Sequence, residues 1–290
     1  MNKELKNPPI FIIGSRKSGT TLLCRMLSSH PNIHIQNELG GFADLLLKAE
    51  KEGKKDINHL CRAKYGKSFY QLLKQPEKSK WGLKEPWLIY GLEYLLEIFP
   101  NTKIIFIIRD GRAVANSQIR ARWGVVNAYA AAQLWKKEIN IIKNFAIKHE
   151  KNAMLTKYED IVLTPEKELK KISEFIDVRY SSEMLDYYKK PDVFYKTKQT
   201  INIFRPLDRA LITKWEGELS KGQIDLFETV SGTTLEENGY NLIGQQRKIP
   251  RILEIWFDVE QKVIGAVQVE WRWRQYIIQN FLKQTKNKPN

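Results

Sequence analysis

Cysteine is almost missing from this chain, with only Cys24 and Cys61 among 290 residues. Their spacing fits no zinc or redox motif and builds no disulfide framework, so a reducing compartment is the default. Cys24 falls on the apolar face of a helix and reads as a packing residue. No run approaches the ~20 apolar residues that a membrane span needs. Met1 to Pro9 is polar and lacks the apolar core of a secretory leader. Together these absences predict a soluble, cytoplasmic protein. Acidic residues are also in deficit, 33 against 48 Lys and Arg, for a net charge of +15. That balance suits an anionic ligand, an acidic substrate or nucleic acid, and equally a solvated basic surface with no partner. A hydrophobic content of 42% over this length supports one substantial core and leaves one or two domains open. There is no internal repeat.

What is present is organised around Ile10-Phe-Ile-Ile-Gly14-Ser-Arg16-Lys17-Ser18-Gly19-Thr20-Thr21-Leu-Leu23. Four apolar residues read as a buried strand, the small residues as a tight turn, and Leu22, Leu23, Met26 and Leu27 as a helix face. Such a turn aims consecutive N–H groups at one spot, where the helix adds the positive end of its dipole. Lys17, Ser18, Thr20 and Thr21 add side-chain donors, and Arg16 stands beside Lys17. The ATP/GTP version of this loop places Lys directly after its second glycine. Here that position is Thr20. The loop can cradle a diphosphate-like group without the lysine that serves a γ-phosphate.

Along the chain, strands are predicted at 10–13, 33–35, from Trp81, at 103–108 and at 153–155. Helices are predicted at 18–29, 42–51, 59–74, 88–98, from about 113, and at 127–149, 165–176 and 220–238. Thr164 is expected to cap the helix from 165, and 180–212 reads as irregular. Lys103-Ile-Ile-Phe-Ile-Ile108 has the continuous apolar character of a central parallel strand. Strand–helix alternation with polar residues at strand ends predicts a three-layer α/β fold, a mostly parallel sheet flanked by helices with ligands along its carboxyl edge. Beyond Pro250, Val267–Arg274 alternates at period two. The length of the segment and its few glycines favour helix; its two tryptophans fit a core, a partner surface or part of a substrate pocket, and core packing is the expectation. The last eight residues are expected to fray.

Arg109 at a strand end and Ser117 eight residues later can flank one anion. Arg109-Asp110 is also the place where a P-loop NTPase would carry a magnesium aspartate. Lys84, in Leu-Lys-Glu-Pro, and Glu38, in His30-Pro-Asn-Ile-His34-Ile-Gln-Asn-Glu38, complete the polar residues of interest.

The Lys17-Ser-Gly-Thr-Thr21 loop resembles that of the sulfotransferase family, which binds the 5′-phosphosulfate of PAPS (3′-phosphoadenosine 5′-phosphosulfate). The resemblance covers about residues 8–242. It implies a P-loop-like fold, with Arg109 and Ser117 on the 3′-phosphate and Lys84 at the bridging oxygen or transferring sulfuryl group. Many small-molecule members carry a His near that lysine as base; this chain has Glu85-Pro86 instead. Its base region is similar to that of tyrosylprotein sulfotransferases, and Golgi carbohydrate enzymes also use a glutamate there. That makes Glu38 the candidate base, with His30 and His34 as lesser ones. Tyr158 matches a tyrosine near the nucleotide, and Lys214-Trp215 a segment closing the cofactor site, preceded by a loop from Gln199 to Asp208. Residues 243–290 lie outside the resemblance and are expected to form a helical extension of a 1–242 catalytic domain.

The expected activity is sulfuryl transfer from PAPS, without a metal, to an acceptor hydroxyl on a glycan, a peptide tyrosine or a small molecule. The alternatives are a P-loop kinase using Mg-ATP and a non-catalytic polyanion-binding protein. No nucleic-acid partner is expected, and the oligomeric state is left open.

Overall fold

The computed structural model describes residues 8–73, 77–121, 125–190 and 200–286, with side chains to Trp271 and at Arg274. Most of the polar N-terminus, Gln199 of the predicted closing loop, and the final residues 287–290 lie outside the described residues. The chain divides into two compact units, one of Met1–Arg109 with Glu138–Leu211, the other of Asp110–Lys137 with Ile212–Asn290.

The first unit holds a five-stranded sheet in the order β2-β3-β1-β4-β5. The strands are β1 (Ile10–Gly14), β2 (Ile33–Asn37), β3 (Lys80–Lys84), β4 (Lys103–Ile108) and β5 (Ala153–Lys157). Every pairing is parallel. The unbroken apolar runs of β1 and β4 follow from this: both are central, buried and covered on two faces. Phe11, Ile13, Leu83, Ile104 and Phe106 pack with one group of helices. These are α2 (Phe42–Lys51), α3 (Ile57–Tyr65), α4 (Phe69–Leu73) and α5 (Leu92–Ile98), joined by Ile142 and Phe145 of α7 (Ala128–Lys148). A stack of rings reinforces that face: Phe69 lies 5.0 Å from Phe42 and 5.2 Å from Phe99. The alternate residues Ile10, Ile12, Ile105 and Ile107 are also buried and belong to the opposite face. There α1 (Thr20–Ser28) runs against β1, β2 and β3.

Because all five strands run the same way, they finish at one edge. Gly14, Asn37, Lys84, Ile108 and Lys157 are their last residues. The residue that follows each is Ser15, Glu38, Glu85, Arg109 or Tyr158. Strand ends separated by up to about 140 positions in sequence are thus gathered where open α/β sheets bind ligands.

Several boundaries differ from expectation. The predicted helix 59–74 is two helices, α3 and α4, parted at Gly66. The predicted helix 88–98 is a 3₁₀ turn, Pro86–Tyr90, followed by α5 from Leu92. Gly91 separates them, because the turn is set by Pro86 at its first position. Two short helices were not foreseen, α8 (Tyr158–Leu163) and α10 (Ala210–Glu218). Residues 182–184, 187–189 and 201–204 form 3₁₀ turns within the stretch read as irregular. Thr164 does precede α9 (Pro165–Phe175), but its hydroxyl donates back to the Asp160 carbonyl (3.1 Å) and caps nothing. Cys24 and Cys61 are both buried, and burial pushes each thiol up to about 12, which makes them inert packing groups.

The second unit contains α6 (Gly111–Ala121), the start of α7, α10, α11 (Lys221–Glu237) and α12 (Arg251–Lys286). Arg112 is its organising residue. Its Nε and Nη2 donate to the two oxygens of Asp110 (3.0 and 2.7 Å), and its Nη1 donates to Glu228 (2.5 Å). The guanidinium also lies over the Trp215 ring, 4.2 Å from its centre. A reciprocal Ser220/Gln223 capping box starts α11. The predicted terminal helix is present as α12. It is tied at its first turns: Phe257 stacks on Tyr129 (5.5 Å) and Asn127 donates to Glu260 (2.9 Å). Trp271 is 53% exposed, so the expectation that it fills a core is corrected. The contacts described for α12 lie near its start, and its later turns expose Val263, Val267 and Trp271.

Candidate active site

The loop after β1 is built for close approach. A Cβ on Gly14 would lie 2.6 Å from the Ile107 carbonyl oxygen and 2.8 Å from Ser18 Oγ. Gly19, at φ 105°, is left-handed, and a Cβ there would strike the Tyr158 ring at 2.5 Å. Lys17 is also left-handed, φ 74°. This is an uncommon conformation for a side-chain-bearing residue and is held by the structure around it. Ser18 N–H donates to the Ser15 carbonyl (3.0 Å), closing the turn. The hydroxyls of Ser15 and Ser18 are buried and have no hydrogen-bond partner within the protein. Buried hydroxyls are normally satisfied. Two such hydroxyls, together with two tight glycines and the N-terminus of α1, make the donor set of an anion-binding cradle. The residues present therefore fit a phosphate or phosphosulfate. Thr20 is buried in the first turn of α1 and Thr21 half-buried beside it.

Arg109, the residue after β4, locks this loop. Its Nη1 donates to the Lys17 carbonyl (3.3 Å) and its Nη2 to the Leu211 carbonyl (2.9 Å). Its guanidinium lies over the Tyr158 ring at 4.0 Å. Tyr158 is buried, which raises its pKa despite the cation beside it. Arg109 and Tyr158 thus meet each other and the loop, a meeting the sequence reading did not foresee. Ser117 lies half-buried on α6 in the second unit. Lys214 lies on α10 in the same unit, exposed and paired with Glu218 (3.3 Å).

At the ends of β2 and β3 the structure forms a second polar centre. Lys84 is 1% exposed and its Nζ pairs with Glu38 Oε1. The Glu38 side chain is 55% exposed, so one partner of the pair is sealed in the protein and the other opens to solvent. The backbone enforces the meeting: Glu38 N–H donates to the Lys84 carbonyl (2.9 Å), and Glu38 is left-handed at φ 54°. The register sets Lys84 opposite Ile12 of β1, two residues before the loop begins. His30 is a packing residue: Nε2 is 2.8 Å from the Arg179 carbonyl and Nδ1 accepts from Asn32 N–H (3.0 Å). Burial lowers the pKa of His34.

Sequence reasoning missed a set of residues around Arg16. Its guanidinium sits over the Trp87 ring (5.0 Å). Burial lowers its pKa, and Glu138, Glu38 and Tyr90 oppose that shift. Tyr90 donates to Glu138 Oε1 (2.9 Å), and burial drives the Tyr90 pKa upward. Trp87 and Tyr90 lie on the turn directly after Lys84-Glu-Pro86, and that proximity to a candidate site residue was the available signal. Glu138 lies about 50 residues away on α7 and gave none. Arg16 therefore faces an aromatic and acidic wall rather than acting only as a second phosphate cation.

An open parallel α/β sheet with a glycine-rich anion cradle at its carboxyl edge defines the P-loop-like nucleotide-binding class. The model of the sulfotransferase family matches residues 8–182, and the chain belongs to that family. Among curated relatives, it is 28% identical over 244 residues to a protein-tyrosine sulfotransferase of Drosophila melanogaster, covering 75% of this chain and 48% of the relative. It is 27% identical over 261 residues to protein-tyrosine sulfotransferase A of Caenorhabditis elegans, covering 81% and 68%. The chain thus spans about half the length of the first of these. Two solved structures share the fold. The sulfotransferase domain from the curacin biosynthetic pathway has a TM-score of 0.61 at 20% identity, covering 82% of this chain and 99% of that one. A mouse sulfotransferase complexed with PAP has a TM-score of 0.51 at 16% identity, covering 82% and 89%.

One expectation is overturned by these relatives. Protein-tyrosine sulfotransferases are Golgi enzymes, so the cytoplasmic placement does not stand. Its physical basis was too narrow. No described helix is long and apolar enough to cross a membrane, but that bears on spanning alone and carries no information on compartment.

Proposed function

We propose that this chain transfers a sulfuryl group from PAPS to an acceptor hydroxyl by in-line displacement. The observation that carries the reading is the Lys84–Glu38 pair at the sheet edge that also bears the anion cradle. Lys17, Ser18, Thr20, Thr21 and the loop N–H groups hold the 5′-phosphate, with Arg16 beside them. Arg109 and Ser117 hold the 3′-phosphate, Tyr158 flanks the nucleotide, and Lys214 helps to close over it. Glu38 takes the proton of the acceptor hydroxyl as its oxygen bonds to sulfur. Lys84 offsets the negative charge that builds on the bridging oxygen as the sulfur–oxygen bond breaks and adenosine 3′,5′-bisphosphate leaves.

The curated relatives supply the acceptor proposed here, the phenolic hydroxyl of a peptide tyrosine. Residues 1–242 are proposed to carry the catalytic domain and 243–290 a helical extension of it. A kinase reading would need Asp110 for magnesium, but both of its oxygens accept from Arg112.

Glu38→Gln is expected to leave binding of adenosine 3′,5′-bisphosphate intact and to lower turnover with labelled PAPS by about 10²-fold. Unchanged turnover would remove Glu38 from the mechanism. Thermal shift separates the classes: stabilisation by adenosine 3′,5′-bisphosphate without metal supports sulfuryl transfer, and stabilisation by Mg-ATP alone supports the kinase.

A further inference from the structure

Trp87 has no part in the chemistry above, yet it stands at the same sheet edge. It lies on the Pro86–Tyr90 turn, three residues after Lys84. Two backbone bonds fix that turn to the strand ends. Glu85 N–H donates to the Ile12 carbonyl of β1 (3.2 Å), and Leu88 N–H donates to the Glu85 carbonyl (3.2 Å). Pro86, Leu88 and Ile89 are buried, whereas Trp87 is 47% exposed. Among the described residues of the first unit it is the one exposed aromatic side chain. Solitary exposed apolar residues are ordinary; this one is held in place from two sides.

The Arg16 guanidinium lies over the indole, 5.0 Å from its centre. Arg16 directly precedes Lys17 of the cradle, so the ring is tied to the loop after β1 as well as to the end of β3. Tyr90 flanks the indole, its ring tilted by 35° and centred 6.3 Å away, and its hydroxyl donates to Glu138 (2.9 Å). Three peptide units separate the Cα atoms of Trp87 and Lys84, which caps their distance at ~11 Å. Ring and reacting pair therefore belong to one region of the size of a small acceptor group.

Strand order decides which ligand that region serves. The order β2-β3-β1-β4-β5 puts the cradle, after β1, in the middle. Arg109 and Tyr158, which carry the nucleotide in the reading above, follow β4 and β5 on one side. Glu38 and Lys84 stand at the ends of β2 and β3 on the other. Trp87 follows β3, so it falls in the half of the edge that receives the acceptor, away from the half that receives the adenine.

We propose that Trp87 is the platform on which the ring of an aromatic acceptor rests, and that it selects a phenolic hydroxyl over an aliphatic one. This rests on the reading of Lys84 and Glu38 as the reacting pair. An indole offers a large flat apolar surface. A phenol packed against it, offset or edge-on, gains from both burial and ring geometry, and the side chain of a serine gains from neither. Arg16 and Tyr90 hold the indole before the acceptor arrives, so little side-chain freedom is lost on binding.

The test uses the whole chain with adenosine 3′,5′-bisphosphate bound, titrated by calorimetry with a synthetic tyrosine peptide and with the same peptide carrying phenylalanine at that position. The phenylalanine peptide keeps the ring and lacks the hydroxyl, so its binding does not depend on the base. Trp87→Ala should weaken both peptides ~10-fold and leave the affinity for adenosine 3′,5′-bisphosphate unchanged. Trp87→Phe should retain most of the wild-type affinity, and Trp87→Leu, apolar without a flat face, should not. This last pair stands as the comparison if Trp87→Ala fails to fold. In turnover, the KM for the tyrosine peptide should rise by a similar factor with kcat nearly constant, and the preference for tyrosine over a serine peptide should shrink.

Peptide affinities that ignore Trp87→Ala would overturn the proposal. So would a loss confined to the nucleotide, which would give the ring to the adenine. The two readings fail separately. Turnover with a wild-type KM in Trp87→Ala sinks the platform and leaves sulfuryl transfer standing. Peptide binding that needs Trp87, in a protein that turns over no PAPS, keeps the platform and sinks the transfer.

Discussion

Two buried basic residues of this protein meet carboxylates in opposite ways. Arg112 in the second unit is closed on every side, with Asp110 on one edge, Glu228 on another and the Trp215 ring against its face; both acids are less than a tenth exposed. Lys84 in the first unit is just as buried, but the Glu38 side chain it meets is more than half exposed. A saturated guanidinium has nothing left to offer a ligand. An ammonium whose partner opens to solvent keeps a direction in which charge can be re-partnered. Burial alone does not mark a functional charge; what separates the two clusters is whether the counter-charge is sealed in.

The largest effect should come from breaking the closed cluster. Arg112→Met strands Asp110 and Glu228 in the interior and is expected to cost about 3–5 kcal/mol of stability in chemical denaturation. Glu38→Gln breaks the open cluster with the reverse signature, the large loss of turnover described above and a midpoint of unfolding close to wild type. Arg109→Ala tests the residue between the two patterns. It should weaken binding of 3′,5′-bisphosphate nucleotide more than binding of ADP, as calorimetry would read, and equal losses would confine Arg109 to bracing the Lys17 carbonyl.

The smallest effect is a sign. The Glu85 carboxyl is raised from its unfolded value of 4.5 to about 7. The folded state thus holds a proton that the unfolded chain releases earlier. Its contribution to stability is complete below the unfolded value and is lost as pH climbs through about 7. Relative to Glu85→Gln, the wild type should lose stability between pH ~5 and ~7. A flat difference would mean that Glu85 is not raised.

Much of the first unit was legible because its signals are local. The apolar run of Lys103–Ile108 announced a central strand, and Ile10–Gly14 with its small-residue turn announced the cradle. Lys84 and Glu38 were each identified from their own neighbours in sequence. Their pairing was not, because it depends on the β2–β3 register and on a left-handed Glu38. Arg109 was expected to face an anion; its bonds to the Lys17 and Leu211 carbonyls join positions about 90 and 100 residues away, which no local pattern encodes. Glu138, about 50 residues from the Tyr90 it meets, gave no signal for the same reason. The break at Gly66 was readable, and a single helical period drawn across it was the error. In the tail, helical periodicity gave the right element, but it says nothing about which face finds a partner, and Trp271 stayed in water.

Gly14 and Gly19 also have a meaning for inheritance. Every glycine codon begins with two guanines, and any single-base change that alters the amino acid installs a side chain or ends the chain. At Gly14 that side chain would meet the Ile107 carbonyl, and at Gly19 the Tyr158 ring. These two codons have no conservative neighbour in the genetic code.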